Sequence, residues 1–305
     1  MKVFVTGVGG QLGHDVMNEL HKRGHAAVGS DIAPVYSGIQ DGSAVTGLPY
    51  VPMDITDREA VQNVLLREKP DAVVHCAAWT AVDLAEEPEK VSIVRAINVD
   101  GTANIAAACA QLDCKMVYIS TDYIFDGQGT EPWKPDCRDF NPLNVYGLSK
   151  LDGEYAVTRV LEKYFIVRIA WVFGLNGKNF IRTMLNLGKK YDTLRVVNDQ
   201  VGTPTYALDL ARLLVDMVQT EKYGIYHATN EGGYISWYEF ACEIFRCAGY
   251  PVNVIPVTTE EYGQNKAARP FNSRLDKSKL VEAGFQPLPT WQDALTRFLK
   301  EIEEL

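Results

Sequence analysis

A chain of 305 residues, 47% hydrophobic and 23% charged, carries enough apolar content to bury a substantial core as one large domain or two smaller ones. Its formal charge of −9 argues against broad, sequence-independent binding to nucleic acid or to a membrane surface, so an anionic ligand has to be held by local devices. No apolar run reaches the length of a transmembrane helix, and "MKVFVTG" leads straight into a turn glycine instead of a signal-peptide core; a cytoplasmic protein is expected.

In chain order, the first half alternates short β-rich runs with longer helical patterns. Strand-like "KVFVT" precedes helix-like "QLGHDVMNELHKRG"; "AAVGSD" and "YVPMD" precede "REAVQNVLLREKP"; "DAVVHCAA" precedes a helix over residues 91–112. "KMVYIS", a helix over residues 145–162 and "YFIVRIA" complete the series. Such alternation predicts a doubly wound α/β domain, a parallel sheet covered by helices, over residues 1–169. Residues 32–48 and 122–141 read as long loops, where function often resides. After residue 169 the elements shorten: "KNFIRTMLNLGKK" and "SWYEFACEIFRCAG" are amphipathic helices, "VNVIPV" a strand and "TWQDALTRFLKEIEEL" a capped terminal helix. They predict a smaller α+β lobe over residues 170–305, with residues 205–226 returning to the first domain. The six cysteines form no C-x-x-C pair and read as buried thiols; no histidine cluster has zinc-ligand spacing, so no metal is expected.

Gly7, Gly10 and Gly13 in "TGVGGQLG" stand between the first strand and a helix opened by Gln11 and Leu12. That context suits a dinucleotide: glycine permits the turn and the approach of backbone to pyrophosphate, and the helix N-terminus offers free N–H groups. Asp31 ends the next strand, where a carboxylate can accept from ribose hydroxyls and would repel a 2′-phosphate; NADH is favoured over NADPH. Asp54, followed by Ile55, either meets the polar edge of adenine or caps the next helix. Ala77, Ala78 and Trp79 follow the fourth strand, where small residues either let a dinucleotide lie close or simply pack.

Tyr146 and Lys150, at i and i+4, share one helix face. A neighbouring ammonium favours phenolate and brings a phenol nearer to the range of acid–base work. Ser120, Thr121 and Asp122 end a parallel strand, the place where α/β sheets hold ligands; a hydroxyl there can bond a substrate carbonyl.

Taken together, "TGVGGQLG", Asp31, "AAWTAVDLAEE", "STDYIFDG", "NPLNVYGLSK", "RIAWVFG", "NDQVGTPTY" and "RPFNSRLDKSKL" resemble the extended short-chain dehydrogenase/reductase superfamily and, within it, the dTDP-4-dehydrorhamnose reductase family. The resemblance runs from the first strand to the last helix. It implies a Rossmann-type doubly wound sheet with a sugar-nucleotide lobe, NADH or NADPH as cofactor, and reduction of the C4 keto group of a dTDP-linked 4-keto-6-deoxy sugar. It also implies catalytic roles for Tyr146, Lys150 and Thr121, with Lys150 also gripping the nicotinamide ribose. Sugar contacts fall to Thr121, Asp122 and Trp171, although Trp171 equally suits a core. Arg269 and Arg274 are candidate diphosphate partners or structural arginines, and a homodimer is compatible with the resemblance. A dehydratase ranks low because Tyr123 stands where related dehydratases carry a glutamate. A 4-epimerase, a synthase of another deoxysugar nucleotide, and a regulatory subunit like the β subunit of methionine adenosyltransferase remain as rivals.

Overall fold

The computed structural model describes residues 1–263 and 265–304. In the first half, β1 (Lys2–Thr6) leads to α1 (Gln11–Lys22), β2 (Ala26–Asp31) and β3 (Tyr50–Pro52). Then come α2 (Arg58–Glu68), β4 (Ala72–His75), the short α3 (Val82–Ala85), α4 (Pro88–Arg95), α5 (Thr102–Leu112) and β5 (Lys115–Thr121). The helix α6 (Val145–Thr158) connects onward to β6 (Tyr164–Ile169).

The second half holds β7 (Val172–Phe173), α7 (Phe180–Gly188), β8 (Thr193–Val197), β9 (Val201–Gly202), β10 (Thr205–Tyr206), α8 (Ala207–Val218) and β11 (Gly224–His227). It ends with β12 (Ile235–Ser236), α9 (Trp237–Ala248), β13 (Asn253–Val257), α10 (Thr259–Tyr262), α11 (Ser278–Glu282) and α12 (Trp291–Glu301). None of the described helices is long and apolar enough to cross a membrane.

Seven strands form one parallel sheet in the order β11-β6-β5-β4-β1-β2-β3. Side-chain alternation decides what each face buries. Val3 and Val5 of β1 face α1 and α8, whereas Phe4 faces the layer formed by α2, α5 and α6. All three are fully buried, which for such side chains contributes about 1.5–3 kcal/mol each. Both faces being covered explains why the strands read as continuous apolar runs. The strand order reverses direction between β1 and β4, and in such sheets the crevice beyond the strand ends at that point receives ligands.

The second lobe is built from two-stranded pieces, β10 on β7, β12 on β9 and β13 on β8, packed with α7, α9 and α12. Phe173, Phe240, Phe298 and Trp291 fill its core. The chain interleaves the two units: α8 joins α1 in the first core, and β11 becomes an edge strand of the main sheet.

Some expected boundaries differ. The helix expected over residues 91–112 begins at Pro88, and a π-helical turn at residues 96–101 joins α4 to α5. That inserted residue lets Asn98 turn inward: its Oδ1 accepts from Trp79 N at 2.8 Å and its Nδ2 donates to Ser149 Oγ at 2.9 Å. The helix expected to reach residue 162 stops at Thr158, where the chain turns to bury Leu161 before β6. Both long loops carry single 3₁₀ turns, at Ala44–Thr46 and Asp122–Ile124. All six cysteines are free, but only Cys109 and Cys114 are buried; Cys76, at the end of β4, Cys137, in a loop, and Cys242 and Cys247, on α9, are half-buried.

Candidate active site

The ends of β1, β2, β4, β5 and β6 open into a cleft of about 550 Å³ shared with the second lobe, a size suited to a small-molecule ligand. Its floor is the glycine turn. Gly7 has φ +71°, and a side-chain carbon there would lie 2.6 Å from Ala77 N, so only glycine lets the turn press against the strand beside it. Gly10 caps α1 with no side-chain partner, leaving the N–H groups at the start of α1 available to an anion. Gln11, Leu12 and Gly13 line the cleft.

Asp31 also lines it. Its Oδ2 accepts from Gly9 N at 2.9 Å and its Oδ1 from Ile32 N at 2.8 Å, so the carboxylate braces the glycine turn and keeps spare acceptor capacity. Asp54 and Ile55 lie on the same wall. Of the two readings of Asp54, the helix cap belongs to Asp57, which accepts from Glu59 N and Ala60 N; Asp54 instead closes a turn onto Thr56 N at 2.9 Å. Ala77 and Ala78 reach the cleft, but Trp79 does not. Its indole Nε1 is bound to Ala81 O at 3.0 Å, and its backbone is held by Asn98, which turns the ring away.

Around the far wall, α6 begins at Asn144, whose Oδ1 accepts from Gly147 N at 2.8 Å while Glu86 accepts from Val145 N at 2.8 Å. Tyr146 and Lys150 therefore start the helix from a fixed point, and both face the cleft. Gly147 permits this docking, because any side chain there would strike the Tyr123 carbonyl. The Tyr146 ring meets Tyr123 edge-on at 5.7 Å.

Burial dominates the electrostatics of this pair. It pushes the Tyr146 phenol up to about 12, against a smaller opposing effect of the Thr121 hydroxyl. It also pushes the Lys150 ammonium down to about 7, with Glu154 pulling the other way. The phenol is thus a protonated donor at neutral pH, not a group brought toward ionisation. Lys150 Nζ lies 4.2 Å from the centroid of the Tyr118 ring, which offers its π face in place of water.

Thr121 and Asp122 sit at the end of β5. Thr121 Oγ1 donates to Asp122 Oδ1 at 3.0 Å and accepts from Tyr123 N at 3.2 Å. Burial pushes the Asp122 carboxyl up to about 6, opposed by the hydroxyls of Ser273 and Thr121. Its Oδ2, like Ser30 Oγ and Ser120 Oγ, is buried without a hydrogen-bond partner among the described residues. All three residues line the cleft, so unused hydrogen-bonding capacity, two hydroxyls and one carboxylate oxygen, lies at its wall.

Trp171 lines the cleft with a left-handed backbone, φ +52°, a costly conformation for a bulky residue. Its ring stacks on Trp237 with centroids 3.7 Å apart. Sequence reading missed Trp237, together with Val82 and Ile97, which also line the cleft. The helix "SWYEFACEIFRCAG" was expected, but the meeting of the two indoles depends on the lobes' packing.

Neither Arg269 nor Arg274 reaches the cleft lining. Arg269 is held by Asp83 through hydrogen bonds of 3.0 and 2.7 Å, and Arg274 donates to Asn272 Oδ1 at 3.0 Å and lies over the Tyr234 ring. Both guanidiniums have protein partners here, the arrangement expected of structural arginines, the second of the two readings their sequence allowed.

A glycine turn at the sheet's reversal point, an acidic residue ending β2, and a tyrosine and lysine one helical turn apart beside a strand-end hydroxyl together define a short-chain dehydrogenase/reductase of the extended class. Within that class, residues 1–304 match the model of the RmlD substrate binding domain, and the chain belongs to that family. It is similar to the dTDP-4-dehydrorhamnose reductase of Streptomyces griseus, 40% identical over 301 residues, covering 96% of this chain and 91% of the relative. Among solved structures, the dTDP-4-dehydrorhamnose reductase of Clostridium acetobutylicum superposes with a TM-score of 0.89 at 39% identity, covering 99% of this chain and 100% of the other. That of Bacillus anthracis, in complex with NADP, does so with 0.84 at 38% identity, covering 98% and 99%.

Proposed function

We propose that this chain is an NAD(P)H-dependent reductase that converts dTDP-4-dehydro-L-rhamnose to dTDP-L-rhamnose. The observation that carries this reading is the gathering of Tyr146, Lys150 and Thr121 at the end of β5 and the start of α6, opposite the glycine turn, in one cleft. The near-full-length similarity to reductases named for this substrate supports the choice of sugar.

A nicotinamide dinucleotide fits the site, since the Gly7 turn leaves no room for a side chain and the start of α1 presents free N–H groups. Gly7, Gly10, Gln11, Leu12 and Gly13 would hold its pyrophosphate, Asp31 its adenosine ribose, and Asp54, Ile55, Ala77 and Ala78 the neighbouring walls. Asp31 favours NADH, because a carboxylate repels a 2′-phosphate; the Bacillus anthracis relative, by contrast, is seen with NADP. When bound, the reduced cofactor supplies the hydride.

The protein's own part is the proton. Tyr146, held neutral by burial, gives its proton to the C4 oxygen as charge develops there, since an alkoxide is a stronger base than a phenolate. Lys150, when protonated, stabilises the phenolate left behind. Thr121 and Asp122 orient the sugar, and Trp171 packs on its apolar face. The test is isotopic: with NADH deuterated at the transferred position, deuterium should appear at C4 of the rhamnosyl product by NMR. Cofactor oxidation with no label in the sugar would overturn the reading.

A further inference from the structure

Tyr146, Lys150 and Glu154 occupy successive turns on one face of α6. The first two face the cleft, while Glu154 points into the core with 3% exposure and meets Arg168 of β6, which has none. Arg168 grips it with both prongs, Nε to Oε1 and Nη2 to Oε2, each at 2.8 Å. Arg168 is itself fixed, donating to Pro135 O at 3.2 Å and lying over the rings of Phe125 and Phe140 at 5.4 and 5.2 Å. A buried ion pair is an expensive way to join a helix to a sheet, and apolar residues of similar volume often serve as well. Its place one turn below Lys150 gives it a second use.

The groups facing Lys150 from other elements do little to hold its charge. From β4 and its end, His75 is driven to about 3 and Cys76 to about 12, so both are neutral. From β5, Tyr118 contributes its ring and donates to Lys150 O at 3.1 Å, and burial keeps its phenol protonated. Tyr146, one turn above, is neutral as well. Asp122 is an anion above about pH 6, but its carboxylate is turned to Thr121. Arg168, from β6, would repel the ammonium if its charge were not matched.

We propose that Glu154, clamped by Arg168, is a positioning residue for Lys150: its carboxylate supplies a fixed counter-charge one turn below the ammonium and keeps Lys150 protonated and in place beside Tyr146. The inference rests on the proposed service of Lys150 to Tyr146. Arg168 prevents the carboxylate from folding onto Lys150, which would withdraw the ammonium from the cleft. The carboxylate therefore acts through space, leaving Nζ free for the ligand side.

The experiment pairs two readouts on wild type, Glu154→Gln and Glu154→Asp. One is the pH profile of kcat for ketosugar reduction. The other is the pH-dependent acetylation of Lys150 by acetic anhydride, read by mass spectrometry and normalised to the exposed Lys178. Glu154→Gln should move the Lys150 midpoint and the alkaline limb of kcat to lower pH by about one unit, with Glu154→Asp restoring most of both. An unmoved midpoint, with kcat lowered evenly at every pH, would reduce the pair to a structural strut and overturn the proposal. Should Glu154→Gln not fold, Glu154→Gln/Arg168→Met removes the stranded arginine, and the same criteria apply to it. Acetylation reports on Lys150 whether or not the chain reduces a ketosugar. A shifted midpoint in a protein without reductase activity therefore contradicts only the proposed function, and an unmoved midpoint in an active reductase contradicts only this inference.

Discussion

Tyr146 holds the proton on which the proposed reduction depends, and burial, not its lysine neighbour, sets its protonation state. Tyr146→Phe keeps the ring and removes the donor, so turnover should fall about 10²- to 10⁴-fold while NADH binding, followed by fluorescence titration, stays near the native value. Loss of binding in parallel with turnover would argue for a packing role. Lys150 pays for its position in stability. Its folded-state value is depressed from 10.5 to about 7, so between those values the unfolded chain binds more protons and stability rises with pH. Below about pH 7 the whole cost of a buried ammonium is present. Lys150→Met should therefore raise the urea midpoint at about pH 6 and show a shrinking advantage toward about pH 10, while activity is lost. A difference independent of pH would contradict the assigned burial effect. Asp31→Ala should narrow the preference for NADH over NADPH measured as the ratio of kcat/KM values, and it should weaken both because Gly9 N loses its acceptor. An unchanged ratio would remove Asp31 from the ribose site.

At the scale of elements, the glycine turn and the tyrosine–lysine pair were legible because each is a local pattern: three glycines between a strand and a helix, and two side chains on one helical face. The cap of the terminal helix, where Thr290 accepts from Asp293 N, was equally local. Whatever depended on distant packing was not legible. The π-helical turn at residues 96–101 has no breaker in "AINVDG" before its final glycine, and it forms where Asn98 can clasp the chain at Trp79. Arg269 was left between a diphosphate partner and a structural arginine because Asp83, which it meets, lies 186 residues away in sequence. The stack of Trp171 on Trp237 belongs to the same group, since it joins the end of β6 to the start of α9. Two indoles this close should give an exciton couplet in the far-UV circular dichroism spectrum that Trp237→Phe abolishes. Adding a dTDP-sugar should alter the couplet if Trp171 takes up the sugar; an unchanged spectrum at saturating ligand would leave Trp171 as a wall of the cleft and no more.

For the molecule as a whole, sequence alternation pointed to the parallel sheet, and the change of texture after residue 169, with residues 205–226 expected to return to the first domain, pointed to a chain that crosses between two lobes. The main sheet ends in β11, a strand contributed after the second lobe has begun, and α8 packs beside α1 in the first core. The lobes are therefore threaded through each other, which holds the glycine turn of the first and Trp237 of the second in one cleft without a flexible linker. That threading underlies the central claim, that a single cleft takes both a reduced nicotinamide and a ketosugar nucleotide and passes a proton from Tyr146. The most direct measurement is the rate of loss of reduced-nicotinamide absorbance with dTDP-4-dehydro-L-rhamnose, run beside UDP- and GDP-linked 4-ketosugars and with NADH and NADPH in turn. The account predicts rapid, stoichiometric oxidation with the dTDP sugar, faster with NADH, and little with the others. Absence of oxidation with every ketosugar would contradict it.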